Sequence, residues 1–462
     1  MLKTLHTLTR IGLLTGLLSL AALAQNRYVV HLGTGNADSI AARHGMTVVK
    51  SLKGSGTGVH VLSAPRNSNS WKVMQDLAAD MEVQSAETDS PILLPGLKAA
   101  AMVHPSSAPN AAFPFDRTPT SYYRSFAANG YINQPAALLI QVSDAHKKSA
   151  GKGTVAVLDT GIDNLQPVLA GSVASGWDFV HNNPGGKELA DINQETTPIL
   201  DQETTPILDQ ETTPILDGGS AIVLAQETTP ILDQETTPIL DQETTPILDS
   251  KKFPAYGHGT MVAGLIHLVA PKAMLMPVKV FAADGTATIS QIVNGIYWAV
   301  DHDANVINMS FSTKEPSAAL ERAIAYANSK GVICVAAAGN DGQAEVVYPA
   351  AYSTVIDVAS TNDSDVRSMF SNFGGQIALA APGEAVITTY PGNRYAEVWG
   401  TSFSAPLVSG GAALLVGMGD EITPAQARNA LMQAVKIGQE LGAGELNLLQ
   451  AVTSLDKHGK DN

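Results

Sequence analysis

A chain of 462 residues is too long for one average domain and within reach of two, and with 45% hydrophobic residues it can bury a core without staples. A net charge of −15 without clustered basic residues excludes a nucleic-acid footprint, and the single cysteine, Cys334, excludes an internal disulfide.

Lys3 and Arg10 precede an apolar stretch from Ile11 to Leu23, and Ala22-Leu23-Ala24 has the small-x-small pattern of a cleavage site. The stretch is short for a membrane span and is interrupted by Gly12 and Gly16. Residues 1–24 therefore read as a secretory signal, and the protein is expected to be secreted, into a periplasm or outside the cell. After signal removal no membrane association is expected, since no later segment is long and apolar enough to span.

Residues 26–87 alternate in a β-α-β-β-α-β order. "RYVVHL", "MTVVKSL", "GVHVLSA" and "EVQSAE" are strand-like, and "NADSIAARHG" is a short helix capped by Asn36 or Asp38 and stopped by Gly45. "SNSWKVMQDLAADM" is helical, with Trp71, Met74, Leu77, Ala78 and Met81 on one face. The order is that of a small α+β ferredoxin-like unit, bounded at 25–97. The Pro-, Ala- and Ser-rich stretch that follows ("PSSAPNAAFPFDRTPTS") reads as a linker, and 98–130 is expected to hold a processing site.

From 131 to 455 the pattern is α/β. "TVAVLD", "AMLMPVKV", "NVINMS", "GVICVAAAGN" and "VIDVAST" are short apolar runs, as in strands buried on both faces. Helical stretches lie between them, so the expected fold is a doubly wound, mostly parallel sheet with its site beyond the carboxyl ends of the strands. Residues 456–462 read as a polar tail. Cys334 falls in a strand and reads as a buried, inert core thiol.

Three motifs stand where such a site is expected. Asp159 ends the strand "TVAVLD", His258 opens a helix in "YGHGTMVAG", and Ser402 opens another in "WGTSFSAPLVSGGAALL". Singly, each has a plain structural reading: a turn cap, a polar first-turn residue, an N-cap. Together they supply a hydroxyl nucleophile, a base to take its proton and a carboxylate to orient the base.

With "AVLDTGID", "HGTMVAG" and "GTSFSAP" in this order, the chain resembles the subtilisin-like serine proteases (subtilases). A fourth match, "AAAGN", puts Asn340 where that family keeps a side-chain oxyanion donor. The resemblance covers about 131–455, and 26–87 is similar to the family's inhibitory propeptide. It implies a secreted serine endopeptidase, made as an autoprocessing zymogen, with Asp159, His258 and Ser402 as its triad and polypeptides and its own propeptide as partners. A monomer is expected. No cofactor is required for the chemistry. Structural calcium, frequent in the family, has candidate ligands in Asp301 and Asp303 or Asp363 and Asp365. After "NMS" the family carries a Gly-containing segment lining the substrate cleft; here it reads Ser310-Phe311-Ser312, whose side chains are expected to narrow or reshape the specificity pocket.

The block 194–249 holds six identical copies of "QETTPILD" and the spacer "GGSAIVLA", which keeps the eight-residue phase and reads as a diverged seventh unit. It contains six Glu and six Asp and no Lys or Arg, so twelve of the fifteen net negative charges belong to it. Asp159 and His258 are 99 residues apart, or 43 with the 56-residue block set aside. The block thus reads as an insertion into a surface loop, whose closure cost grows only logarithmically with length. An extended acidic loop and a small stacked array of Ile-Leu pairs are both compatible with its composition. The competing function is a catalytically silent surface binding or adhesion protein that works through this acidic repeat.

Overall fold

The computed structural model describes residues 26–33, 35–52, 58–94, 116–195, 222–224, 253–419 and 422–458. The expected signal at 1–24, the first part (98–115) of the stretch expected to hold the processing site and nearly all of the repeat lie outside these residues.

The N-terminal unit runs β1 (Arg27–Leu32), α1 (Ala37–Arg43), β2 (Thr47–Ser51), β3 (Val59–Ser63), α2 (Ser70–Ala79) and β4 (Val83–Thr88). Its strands form an antiparallel sheet in the order β2-β3-β1-β4. Asn36 caps α1 by accepting the N–H groups of Asp38 and Ser39, and Asn69 caps α2. The buried face of α2 runs through Val73, Met74 and Leu77, so the expected stripe holds at Met74 and Leu77 but not at its two ends. Trp71 is 73% exposed and Met81 99% exposed. The helix ends at Ala79 and Asp80 is extended, so Met81 no longer shares a helical face with the residues before it.

A short strand, β5 (Pro91–Leu93), leaves this unit and pairs antiparallel with the main unit. The main sheet contains β6 (Thr154–Asp159), β7 (Trp177–Asp178), β8 (Asn183–Pro184), β9 (Met274–Lys279), β11 (Val306–Met309), β12 (Ile333–Ala337), β13 (Val355–Thr361) and β14 (Leu379–Pro382). β10 (Thr286–Thr288) is the partner of β5. The sheet order is β8-β7-β9-β6-β11-β12-β13-β14, parallel throughout except for the β8–β7 edge pair.

Two hydrophobic clusters cover the two faces. α3 (His258–Val269) and α6 (Thr401–Val416) lie on one side, α4 (Ile289–Asp301) and α5 (Ala318–Ser329) on the other. Alternate residues of β6 serve opposite clusters: Val155 and Val157 one, Ala156 and Leu158 the other. That is why the strands read as unbroken apolar runs. Cys334 is buried in β12, where burial pushes its thiol up to about 12. α3 and α6 cross closely because Gly410 faces Val269, where an added Cβ would meet the valine Cβ at 2.5 Å.

Two expected boundaries shift. Residues 116–130 are no linker: Pro119–Tyr122 and Ser125–Ala128 form a hairpin, and Tyr122, Ala127 and Ala128 join the main core. Tyr122 and Tyr131 donate their hydroxyls to Leu268 O and Gly264 O of α3, so the main unit begins near Asp116. At the other end the helix Leu448–His458 runs into the expected polar tail. Within the repeat block, Ile222–Leu224 of the spacer pairs parallel with Arg394–Val398, itself hairpin partner of Val386–Tyr390.

The N-terminal unit docks through its carboxylates. Glu87 Oε1 accepts Ser317 Oγ at 2.9 Å and Ala319 N–H at 2.8 Å, at the start of α5. Asp89 accepts Ser290 N–H and Oγ, both at 2.8 Å, at the start of α4, and pairs with Arg27 at 3.3 Å. Both acids therefore sit where free N–H groups and the helix dipole favour negative charge. Ile92 and Leu94 are buried in the α4–α5 cluster.

Candidate active site

β6 delivers Asp159 at its carboxyl end, and α3 starts at His258; both side chains are fully buried. Asp159 Oδ1 lies 2.7 Å from His258 Nδ1 and also accepts Thr160 N–H at 2.8 Å. With Nδ1 engaged by a carboxylate, the imidazole proton sits there, and Nε2 is the basic nitrogen. Nε2 is buried and makes no hydrogen bond among the described residues. The imidazole rests 5.5 Å from the Phe403 ring, which places it beside the first turn of α6.

Ser402 is the second residue of α6 and is 1% exposed. The preceding turn needs Gly400, whose φ of +137° strains any residue with a side chain. Ser402 Oγ donates to Ser310 O at 3.2 Å, and Ser310 Oγ donates back to Ser402 O at 2.8 Å. Pro406 explains the second bond. It lies inside α6 and has no N–H to give to the carbonyl four residues earlier, so Ser402 O is free to accept a hydroxyl.

Asn340 follows β12. Its Oδ1 accepts Thr401 N–H at 2.9 Å and Thr401 Oγ at 2.7 Å. Since a backbone N–H can only donate, the amide orientation is fixed and Nδ2 is the end left to donate. Nδ2 lies on the Gly400 side of Ser402, 3.5 Å from where a Cβ on that glycine would be.

The structure thus brings Asp159 and His258 into contact, sets Ser402 in the helix turn whose Phe403 ring meets the imidazole, with its hydroxyl on Ser310 O and not on His258, and turns the Asn340 amide toward the same turn. The expectation for Ser310 and Phe311 changes. Both side chains are fully buried, and Phe311 packs on Phe281 at 5.2 Å in the core, so neither forms an exposed wall. Ser312 is half-buried. Among the described residues no group of three or more His, Cys, Asp or Glu that could hold a metal ion is found.

Sequence reasoning missed the supporting residues. Thr401 orients Asn340, and Thr160 Oγ accepts Gly259 N–H at 2.9 Å. Glu188 holds the start of α3 from 70 residues upstream, a separation that no local motif signals. Burial pushes its carboxyl up to about 7, against the pull of Lys279 and of the donated hydrogen bonds. Gly259 is where α3 touches the Asp159 turn, and a Cβ there would strike the Gly161 carbonyl.

A profile of the subtilase family matches residues 151–454. Subtilisin BL of Lederbergia lenta is 40% identical over 203 residues, 41% of this chain and 76% of the relative. Thermitase of Thermoactinomyces vulgaris is 31% identical over 326 residues, 68% of this chain and 93% of the relative. Among solved structures, fervidolysin from Fervidobacterium pennivorans, described as a keratinolytic enzyme related to subtilisin, superposes with a TM-score of 0.63 at 20% identity. It covers 93% of this chain and 61% of its own, a likeness of fold alone.

Proposed function

Because the chain belongs to the subtilase family of serine endopeptidases, we propose that it cleaves polypeptides with Asp159, His258 and Ser402 as its triad and Asn340 as an oxyanion donor. The observation that carries this reading is the buried 2.7 Å Asp159–His258 contact, with Nε2 left unbonded beside the turn that holds Ser402.

In the first step Ser402 Oγ exchanges its bond to Ser310 O for one to His258 Nε2. Oγ bonds to the substrate carbonyl carbon as its proton passes to Nε2. The carbonyl electron pair moves onto oxygen, where Asn340 Nδ2–H and the Ser402 backbone N–H stabilise it, aided by the N-terminus of α6. The tetrahedral centre collapses, the C–N bond breaks, and Nε2 returns its proton to the leaving amine. Water then attacks the acyl-Ser402 with His258 again as base, releasing the acid. Asp159 holds the imidazole in place and stabilises the imidazolium.

The N-terminal unit acts in this reading as a ferredoxin-like inhibitory propeptide of an exported zymogen. Its tail strand β5 occupies the edge of β10, and Glu87 and Asp89 cap α5 and α4. Extended substrates would pair with the same edge. The test compares the intact masses of the exported wild type and Ser402→Ala. Loss of the N-terminal unit in the wild type alone supports self-processing by Ser402. Retention in both, with no labelling of the wild type by a serine-directed covalent probe, would overturn the enzymatic reading.

A further inference from the structure

Two carboxylates just before the insertion in the sequence, Glu188 and Asp191, reach the segments that carry the site. Glu188 lies six residues before position 194 and is fully buried. Its Oε1 accepts Gly257 N–H at 2.9 Å. Its Oε2 accepts Thr260 N–H at 3.1 Å and Thr260 Oγ at 2.9 Å. Gly257 is the N-cap of α3 and has no side chain to cap with. The first amides of a helix have no intrahelical partner. Glu188 therefore does from across the loop what a local cap residue does elsewhere. Thr260 Oγ also accepts Asp163 N–H at 2.9 Å, which ties the same turn to the segment after Asp159.

The entry side is held in the same way. Asp191 accepts Lys279 Nζ and Ala283 N–H, both at 2.7 Å. Lys279 is fully buried and also donates to Thr160 O, the carbonyl next to Asp159. The chain reaching Phe253 has passed through 56 inserted residues. Local sequence therefore cannot fix where α3 begins, and the contacts from Glu188 do.

We propose that Glu188 is a positioning residue for His258, clamping the start of α3 so that the insertion does not disturb the imidazole. The inference rests on the proposed role of His258 as base. A misplaced base costs turnover steeply, while substrate pairing along β10 lies elsewhere.

The test measures kcat and KM on a short chromogenic peptide, per active site titrated with a serine-directed reagent. Wild type, Glu188→Ala and Glu188→Gln are compared in the full chain and in a chain whose residues 196–250 are replaced by about eight Gly/Ser residues. In the full chain, Glu188→Ala is expected to lose roughly 10–100-fold in kcat per titrated site with KM little changed. Glu188→Gln, which keeps one acceptor oxygen, should fall between. In the shortened chain the Ala variant should recover most of the loss, because a short connection fixes the helix start by itself. Unchanged kcat per titrated site in Glu188→Ala overturns the proposal, and an equal loss at both loop lengths overturns the insulating role. Failure of the wild type to titrate, as in a Ser402→Ala control, would instead overturn the proposed function.

Discussion

His267 gives the stability of this protein a specific dependence on acid. It lies near the end of α3, 1% exposed, and neither ring nitrogen has a hydrogen-bond partner among the described residues. The Tyr122 ring stands 6.1 Å away, and the nearby charge is the imidazole of His146. Burial, reinforced by His146, pushes the His267 imidazole down from 6.5 to about 4. The folded pKa is the lower one, so the unfolded chain binds the proton first. Stability from neutral His267 is complete above 6.5 and is lost as pH falls through about 4. The full difference is on the order of 3 kcal/mol, and most of it is gone by about pH 4.5. The assay is urea unfolding at several pH values in a Ser402→Ala background, which prevents self-digestion. His267→Leu removes the titration at similar volume. Its stability relative to the parent should rise by roughly 2–3 kcal/mol between pH 8 and about 4.5. Parallel pH curves for the two proteins would show that His267 is not held neutral, and would refute the reasoning.

Asn340→Ala should keep substrate binding but lose ~10²–10³ in kcat, as removal of one oxyanion donor does. Wild-type turnover would remove Asn340 from the site. Glu87→Ala breaks two hydrogen bonds at the start of α5, one from a hydroxyl and one from a helix amide. Added in trans to the processed enzyme, the N-terminal unit carrying it should inhibit roughly 10–100-fold less tightly, and equal inhibition constants would disprove the cap. Cys334, with its thiol pushed up to about 12, should resist a thiol reagent in the native protein and react promptly in denaturant. Gly259→Ala forces a methyl into the Gly161 carbonyl, so α3 must withdraw from the Asp159 turn. Activity should fall by at least about ten-fold even where the variant folds, and full activity would show the contact is soft.

Much of this protein is legible without coordinates, because its parts repeat simple periodicities. Apolar runs of strand length give the parallel sheet, since strands buried on both faces have no polar side to show. Asp159, His258 and Ser402 stand at element ends, where side chains can leave the core. The ends of short motifs therefore name them before any distance is known. Gly45 and Asn36 mark helix boundaries by their capping and backbone preferences, which are local properties.

What the sequence left open depends on partners far apart in the chain. Trp71 has the right spacing to be buried, but the docking angle of α2 exposes it. The Ala-rich stretch before Tyr131 has linker composition, and only the packing of Tyr122 on α3 makes it core. Ser310 and Phe311 look like a cleft wall in one dimension, whereas the fold turns the phenyl ring onto Phe281 and the hydroxyl onto Ser402 O. Glu188 is one acid among many until the fold brings it across 69 and 72 residues to the amides of Gly257 and Thr260. Periodicity, capping and turn chemistry act over a few residues and are written locally. Burial, long-range hydrogen bonds and the pKa shifts they cause exist only once distant segments share a neighbourhood.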